Sequence, residues 1–168
     1  MALLGGKIDT PQELYVHKVG AALKMENTIL EMIPQLEEHA SDSQLKESLR
    51  QHFEETQRHV ANLERVFQAL GADVDESPCP TIEGLEKEGQ SNLKMVDDSL
   101  NDNVIVGGVT ETEHHEIAVY EGLITKAEAM GEQDIVALLQ ENLEQEQAML
   151  QKGKQIAQQL AQRVVPTA

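Results

Sequence analysis

Apolar residues recur along this chain at alternating spacings of three and four, the period that turns one face of a helix into a core. Between Leu49 and Leu70 the stripe runs Leu49, His52, Thr56, His59, Leu63, Val66, Leu70. Before it the same spacing gives Val16, Val19, Leu23, Glu26, Leu30 and Ile33; after it come Ile105, Val109, Thr112, Glu116, Val119 and Leu123. A last stripe passes through Ile135, Leu139, Asn142, Glu146 and Met149 and resumes at Ile156 and Leu160, beyond Gly153.

Helix breakers separate the four stripes. Thr10-Pro11 opens the first helix, Ala40-Ser41-Asp42 interrupts, and Gly71 begins a Pro-containing loop through Pro80. Asn101 to Asn103 and Gly131 are the next such signals. The pattern predicts long helices near 11–39, 42–70, 103–130 and 132–163, with a shorter helical piece near 81–98. Pro34 is expected to kink the first helix through its clash with the carbonyl four residues earlier, and Gly107-Gly108 to weaken the start of the third long one.

The segment from Gly71 to about Asn101 is too long for a tight turn, so it can carry the chain back along the bundle. Two helical hairpins joined by one long crossover describe an all-α, ferritin-like four-helix bundle, with a short fifth helix in the crossover. At 168 residues the chain is expected to form one domain, 1–168, with its core at about 11–163.

Each stripe turns polar at one level. Glu26, the pair His52 and His59 with Glu55 beside them, Glu116 with Glu113 one turn before it, and Glu146 all fall on or next to the inward seams. A lone polar residue in such a stripe is more often register noise or a hydrogen-bonded core residue, so depth is the stronger test. Counted from Ala40, Glu26 is 14 residues back and Glu55 is 15 forward; counted from Gly131, Glu116 is 15 back and Glu146 is 15 forward. At about 1.5 Å per residue all four lie roughly 20 Å from their turns, in one layer of the bundle.

Ionised carboxylates left uncompensated in a bundle would cost several kcal/mol each and would protonate instead. A pair of divalent ions removes that cost. Carboxylate oxygens with one or two imidazoles suit Fe or Mn, iron being the first expectation, and the lack of a cysteine cluster argues against structural zinc or an iron–sulfur centre. Glu55 and His59, at i and i+4, can point to one ion from consecutive turns. The usual arrangement has Glu-x-x-His on two helices, but here Arg58 stands three after Glu55 and Met149 three after Glu146. The expected ligands are Glu26, Glu55, His59, Glu113, Glu116 and Glu146. His52 is a candidate hydrogen-bond donor to a ligating carboxylate, at least one of His114 and His115 must face outward, and His17 and His39 look superficial.

Composition narrows the partners. A formal net charge of −17 excludes a phosphate-binding basic surface, and with it nucleic acid or an anionic membrane as partner. No run of about 18 apolar residues is present and "MALLGG" lacks the features of a signal peptide, which with the single Cys79 leads to a cytoplasmic expectation.

Three stretches together resemble the YciF/YciE-like family of bacterial ferritin-like stress proteins: "HFEETQRHVANLERVF", "CPTIEGLEKEG" and "EHHEIAVYEGL". The likeness runs from about Pro11 to Ile156. It implies a five-helix ferritin-like fold, commonly a homodimer, with a di-metal site and no firmly assigned reaction. By matched position it points to Glu26, Glu55, Glu113, Glu116 and Glu146. The family tends to have two consecutive acids near 145–146 and an acid at 150, whereas this chain has Gln145 and Leu150.

Two functions of different class follow. One is a di-iron or di-manganese protein that reacts with peroxide or dioxygen in oxidative-stress defence, with Tyr120 as a nearby electron or proton donor. The other is a non-catalytic dimeric stress or structural protein whose polar core specifies helix register. Metal storage in a cage ranks last, since nothing in one chain indicates the assembly it needs.

Overall fold

In the computed structural model, which describes residues 7–164, the chain forms helices α1 (Pro11–His39), α2 (Ser43–Ala69), α3 (Pro80–Met95), α4 (Asn101–Met130) and α5 (Gln133–Val164). Their ends follow local chemistry. Thr10 caps α1 through a capping box, its hydroxyl accepting from Glu13 N at 3.1 Å while Glu13 Oε2 accepts from Thr10 N at 2.9 Å. Asp42 caps α2 by accepting from the amides of Gln44 and Leu45. Gly131 closes α4 with φ 79°, a left-handed conformation open to glycine because it has no Cβ.

Two sequence expectations are corrected here. The piece near 81–98 ends as a helix at Met95, and a 3₁₀ turn at Asp98–Leu100 feeds α4, which starts at Asn101 and continues through Gly107-Gly108. The buried lines also differ by one residue in places: on α1 the line passes through Ile29 rather than Leu30, and on α4 through Tyr120 rather than Val119. A helix of 3.6 residues per turn drifts from a strict 3,4 count, so such slips are expected. α1 runs unbroken past Pro34, which is exposed.

The four long helices pack as a ring in the order α1, α2, α5, α4, with α3 outside against α4 and lightly against α1. Asp102 accepts from the amides of Ser41 and Asp42, at 2.7 and 3.1 Å, and Arg163 donates to Asp42 at 2.8 Å. The start of α4 and the end of α5 therefore sit beside the α1–α2 turn. The crossover has carried the chain back the length of the bundle, as the spacing predicts.

The first part of that crossover lies on α1. Asn27 donates to Glu76 at 2.7 Å, and a Cβ at Gly20 would come within 2.6 Å of Ser77 Oγ and 2.8 Å of the Asp75 carbonyl. A Gly20→Ala variant is therefore expected to lose about 1–3 kcal/mol of stability, the usual cost of overpacking, read as a lower urea midpoint. A midpoint equal to wild type would contradict this close approach.

Candidate metal centre

Six acidic and imidazole side chains meet in the middle of the ring. α1 contributes Glu26, α2 His52 and His59, α4 Glu113 and Glu116, and α5 Glu146, and none is more than 3% exposed. They form two sets. His52, Glu113, Glu116 and Glu146 each offer a ligand atom within 4.8 Å of the others; so do Glu26, His59 and Glu146. Glu146 belongs to both sets, so it is the one residue that could serve an ion in each.

The donors are aimed at one another without pairing. Glu26 Oε2, His52 Nδ1, His59 Nδ1, Glu113 Oε2 and both oxygens of Glu116 and Glu146 are buried with no hydrogen-bond partner. His59 Nδ1 lies 2.8 Å from Glu146 Oε1 and 3.6 Å from Glu26 Oε2, yet makes an aligned hydrogen bond to neither. His52 Nε2 lies 3.3 Å from Glu113 Oε1. Buried polar atoms are almost always satisfied, so eight orphans in one cluster call for a partner that takes lone pairs. Divalent ions fit that requirement, and an oxygen-rich donor set with one imidazole per ion fits Fe or Mn.

Electrostatics shows the same demand. Burial pushes Glu113 and Glu116 well above the carboxylate range, and the nearby Glu146 charge adds to it. Glu26 is also raised by burial. For Glu146 burial acts upward too, but the His59 ring beside it and the His52 charge outweigh it and hold the group below its ordinary value. His59 is raised to about 10: burial alone would lower it, and Glu146 and Glu26 overcome that. Burial lowers His52. Without cations the cluster keeps itself near neutral by holding protons on Glu113, Glu116 and His59. Cations would displace those protons.

A further layer of residues fixes these groups. His59 Nε2 lies 2.9 Å from Gln145 Oε1, so Nε2–H donates outward, and once the proton on Nδ1 is released its lone pair faces the carboxylates. A directed chain runs from an exposed end inward: Arg65 donates to Asn62 Oδ1 (3.3 Å), Asn62 Nδ2 to Asn142 Oδ1 (2.8 Å), Asn142 Nδ2 to Tyr120 Oη (3.0 Å), and Tyr120 to Glu26 Oε1. Every donor points toward Glu26. Asn142 also donates to the His59 carbonyl at 3.3 Å.

Of the six ligands expected from sequence, Glu26, His59, Glu113, Glu116 and Glu146 are brought together and Glu55 is not. Glu55 is half-buried and accepts from Gln51 at 2.7 Å on the outer side of α2, and it belongs to neither set. Its depth fits but its direction does not: at 100° per residue it lies about 60° around α2 from His52 and about 100° from Thr56, on the flank of the line His52, Thr56, His59. His52, expected only as a supporting donor, takes that place. Asn62 and Gln145 were not anticipated, although Asn142 stood in the α5 stripe. His114 is exposed, His115 and His17 are half-buried, and His39 is exposed with Nδ1 2.8 Å from the Gln35 carbonyl.

A family model described as a domain of unknown function, DUF892, matches residues 10–165. The chain belongs to this family. The chain is 25% identical over 141 residues to protein YciF of Escherichia coli strain K12, covering 83% of this chain and 85% of that one. The solved structure of the E. coli stress protein YciF aligns with a TM-score of 0.87 at 23% identity, over 93% of this chain and 99% of that one. YcfI of Rhodopseudomonas palustris, whose description offers a structural role, aligns with a TM-score of 0.87 at 34% identity, over 90% of this chain and 98% of that one. The resemblance to YciF-like proteins is thereby borne out, and so is the all-helical bundle. Among the described residues no helix is long and apolar enough to cross a membrane.

Proposed function

We propose that the protein is a di-metal carboxylate protein, acting as a cytoplasmic homodimer, whose two Fe or Mn ions react with peroxide or dioxygen in stress defence. Glu26, His59 and Glu146 would hold one ion, and His52, Glu113, Glu116 and Glu146 the other. The observation that carries this reading is the convergence of eight unpartnered buried ligand atoms on one level of the bundle.

When bound, such an ion pair supplies Lewis acidity and exchangeable electrons to a small oxidant. The chain's residues do the rest. Tyr120 holds a proton on Oη and gives its hydrogen bond to Glu26 Oε1, and Asn142 keeps that hydroxyl in place. Gln145 holds the His59 ring with Nδ1 facing inward. The apolar core above and below, with Leu49 and Leu63 on α2 and Leu139 and Met149 on α5, holds the four helices in register around the six side chains.

The structural role in the description of YcfI favours a second reading, a non-catalytic dimer whose polar core sets helix register. Metal analysis separates the two. Protein purified without chelator is expected to carry about two Fe or Mn ions per chain, and a Glu26→Ala, Glu146→Ala double variant to carry almost none. Equal metal content in the two would reject the di-metal reading, and loaded wild type that consumes no peroxide or dioxygen would reject the catalytic one.

A further inference from the structure

A cavity of about 220 Å³ lies between α1, α2, α3 and α4. Its walls are mainly aliphatic, with Ile29 and Ile33, Leu49, Leu85, Leu93 and Val109 prominent and Asn92, Asn103 and Thr112 among them. At one end stand the exposed Glu88 and Glu111; at the other stand His52 and Glu113, which are 3% and 1% exposed. The cavity thus runs from solvent to the candidate metal centre. Glu113 Oε2, buried and without a hydrogen-bond partner, is at its inner end.

We propose that this chamber binds a neutral, apolar small molecule of about six to ten heavy atoms, with any polar end directed to His52 and Glu113. Size is the first argument. An apolar cavity of roughly 150 Å³ is enough to hold benzene, whereas a water-sized oxidant occupies only about 30 Å³. Chemistry is the second: apart from Asn92, Asn103 and Thr112 and the acidic and imidazole groups, the lining is aliphatic and favours a hydrocarbon surface over peroxide or water. Charge is the third. No Lys or Arg lines the chamber, and Glu88 and Glu111 at its exposed end repel anions.

The glycines agree with this. Gly89 on α3 and Gly107 and Gly108 on α4 line the chamber, and a Cβ added at any of them meets nothing within 4 Å. Gly20 is required by close packing, but these three are not, and each weakens its helix by about 1 kcal/mol relative to Ala. A side chain placed at Gly89 or Gly108 therefore has room to enter the chamber. α3 covers the chamber only shallowly, Ile82 being its one buried residue.

That the guest is a substrate rests on the di-metal reading; that it binds does not. The test is a titration of the full-length protein, as purified, with benzyl alcohol and with benzoate, followed by methyl NMR of Ile, Leu and Val, with metal content measured on the same samples. Benzyl alcohol is expected to saturate and to shift the methyls of Ile29, Ile33, Leu49 and Val109, with benzoate at least about tenfold weaker. Gly108→Leu on α4 and Gly89→Leu on α3, both favourable to their helices, are each expected to weaken benzyl alcohol by about tenfold or more without changing metal content. Absence of saturable binding to wild type, or equal binding to wild type and both variants, would overturn the proposal. Equal affinity for benzoate would overturn the neutral class. Metal content that stays at wild-type level while binding fails would leave the di-metal reading standing and refute this one alone.

Discussion

A Glu146→Gln variant is expected to retain neither ion, whereas Glu113→Gln keeps the ion held by Glu26, His59 and Glu146. Glu146 is the residue common to both ligand sets, with both oxygens buried and free of hydrogen bonds. Glutamine preserves its size but removes the negative charge and turns one oxygen into an NH₂ that can only donate. Partners that merely support a ligand typically cost 10–100-fold in metal affinity when changed, and losing a shared ligand should cost more than that at each ion. Metal analysis after purification in chelator-free buffer checks the contrast. If Glu146→Gln keeps as much metal as wild type, Glu146 does not bridge.

Removing the metal is expected to lower the melting temperature, by an amount that grows with pH. At a free metal concentration 1,000 times the dissociation constant, binding contributes about 4 kcal/mol, which for a chain of this size is a shift of roughly 8–16 °C. The pH dependence follows from the buried groups. Glu113 and Glu116 are raised well above 4.5, and His59 is raised from 6.5 to about 10. All three bind protons more tightly folded than unfolded, so their contribution is complete below the ordinary values and is lost as pH rises through the raised ones. His52 is held below 6.5 and Glu146 below 4.5, so they act in the opposite sense, but both contributions are complete once pH exceeds those ordinary values. Between pH 6.5 and about 10 the metal-free protein should therefore become less stable as pH rises. Ions replace the protons, so the loaded protein should resist this trend and its metal affinity should rise over the same range. Calorimetry with and without chelator measures both slopes. Parallel slopes would mean that the cluster releases no protons to metal.

Much of this architecture was legible in the pattern of apolar residues. The bounds of α1 follow from Thr10-Pro11 and Ala40, because capping chemistry is local, and α4 stops at Gly131 for the same reason. The level of the site was also readable, since residues equidistant from a turn lie at equal depth in an antiparallel hairpin. Direction around the helix was read less well. A 3,4 count fixes the seam to within about one residue, or 100°, and Glu55 and His52 are only about 60° apart around the helix, less than that margin. Only the packed positions of α4 and α5 decide that the ring of His52 enters and the carboxylate of Glu55 stays on the flank. Gln145 and Asn62 were illegible for another reason: an amide beside a stripe has no periodic signal, and its role exists only through partners on other helices, His59 for Gln145 and Asn142 for Asn62. The chamber behind His52 was hidden likewise, because it depends on how α3 lies over α1 and α4.

The central claim is that these six side chains hold two ions that share Glu146. Anomalous X-ray diffraction from crystals of the Mn-loaded protein, recorded near the Mn absorption edge, addresses it directly. Two peaks about 3.5–4 Å apart are predicted, one coordinated by Glu26 and His59, the other by His52, Glu113 and Glu116, with Glu146 touching both. A fully loaded crystal with no peak among these residues, or with a single ion that Glu146 does not contact, would contradict the account.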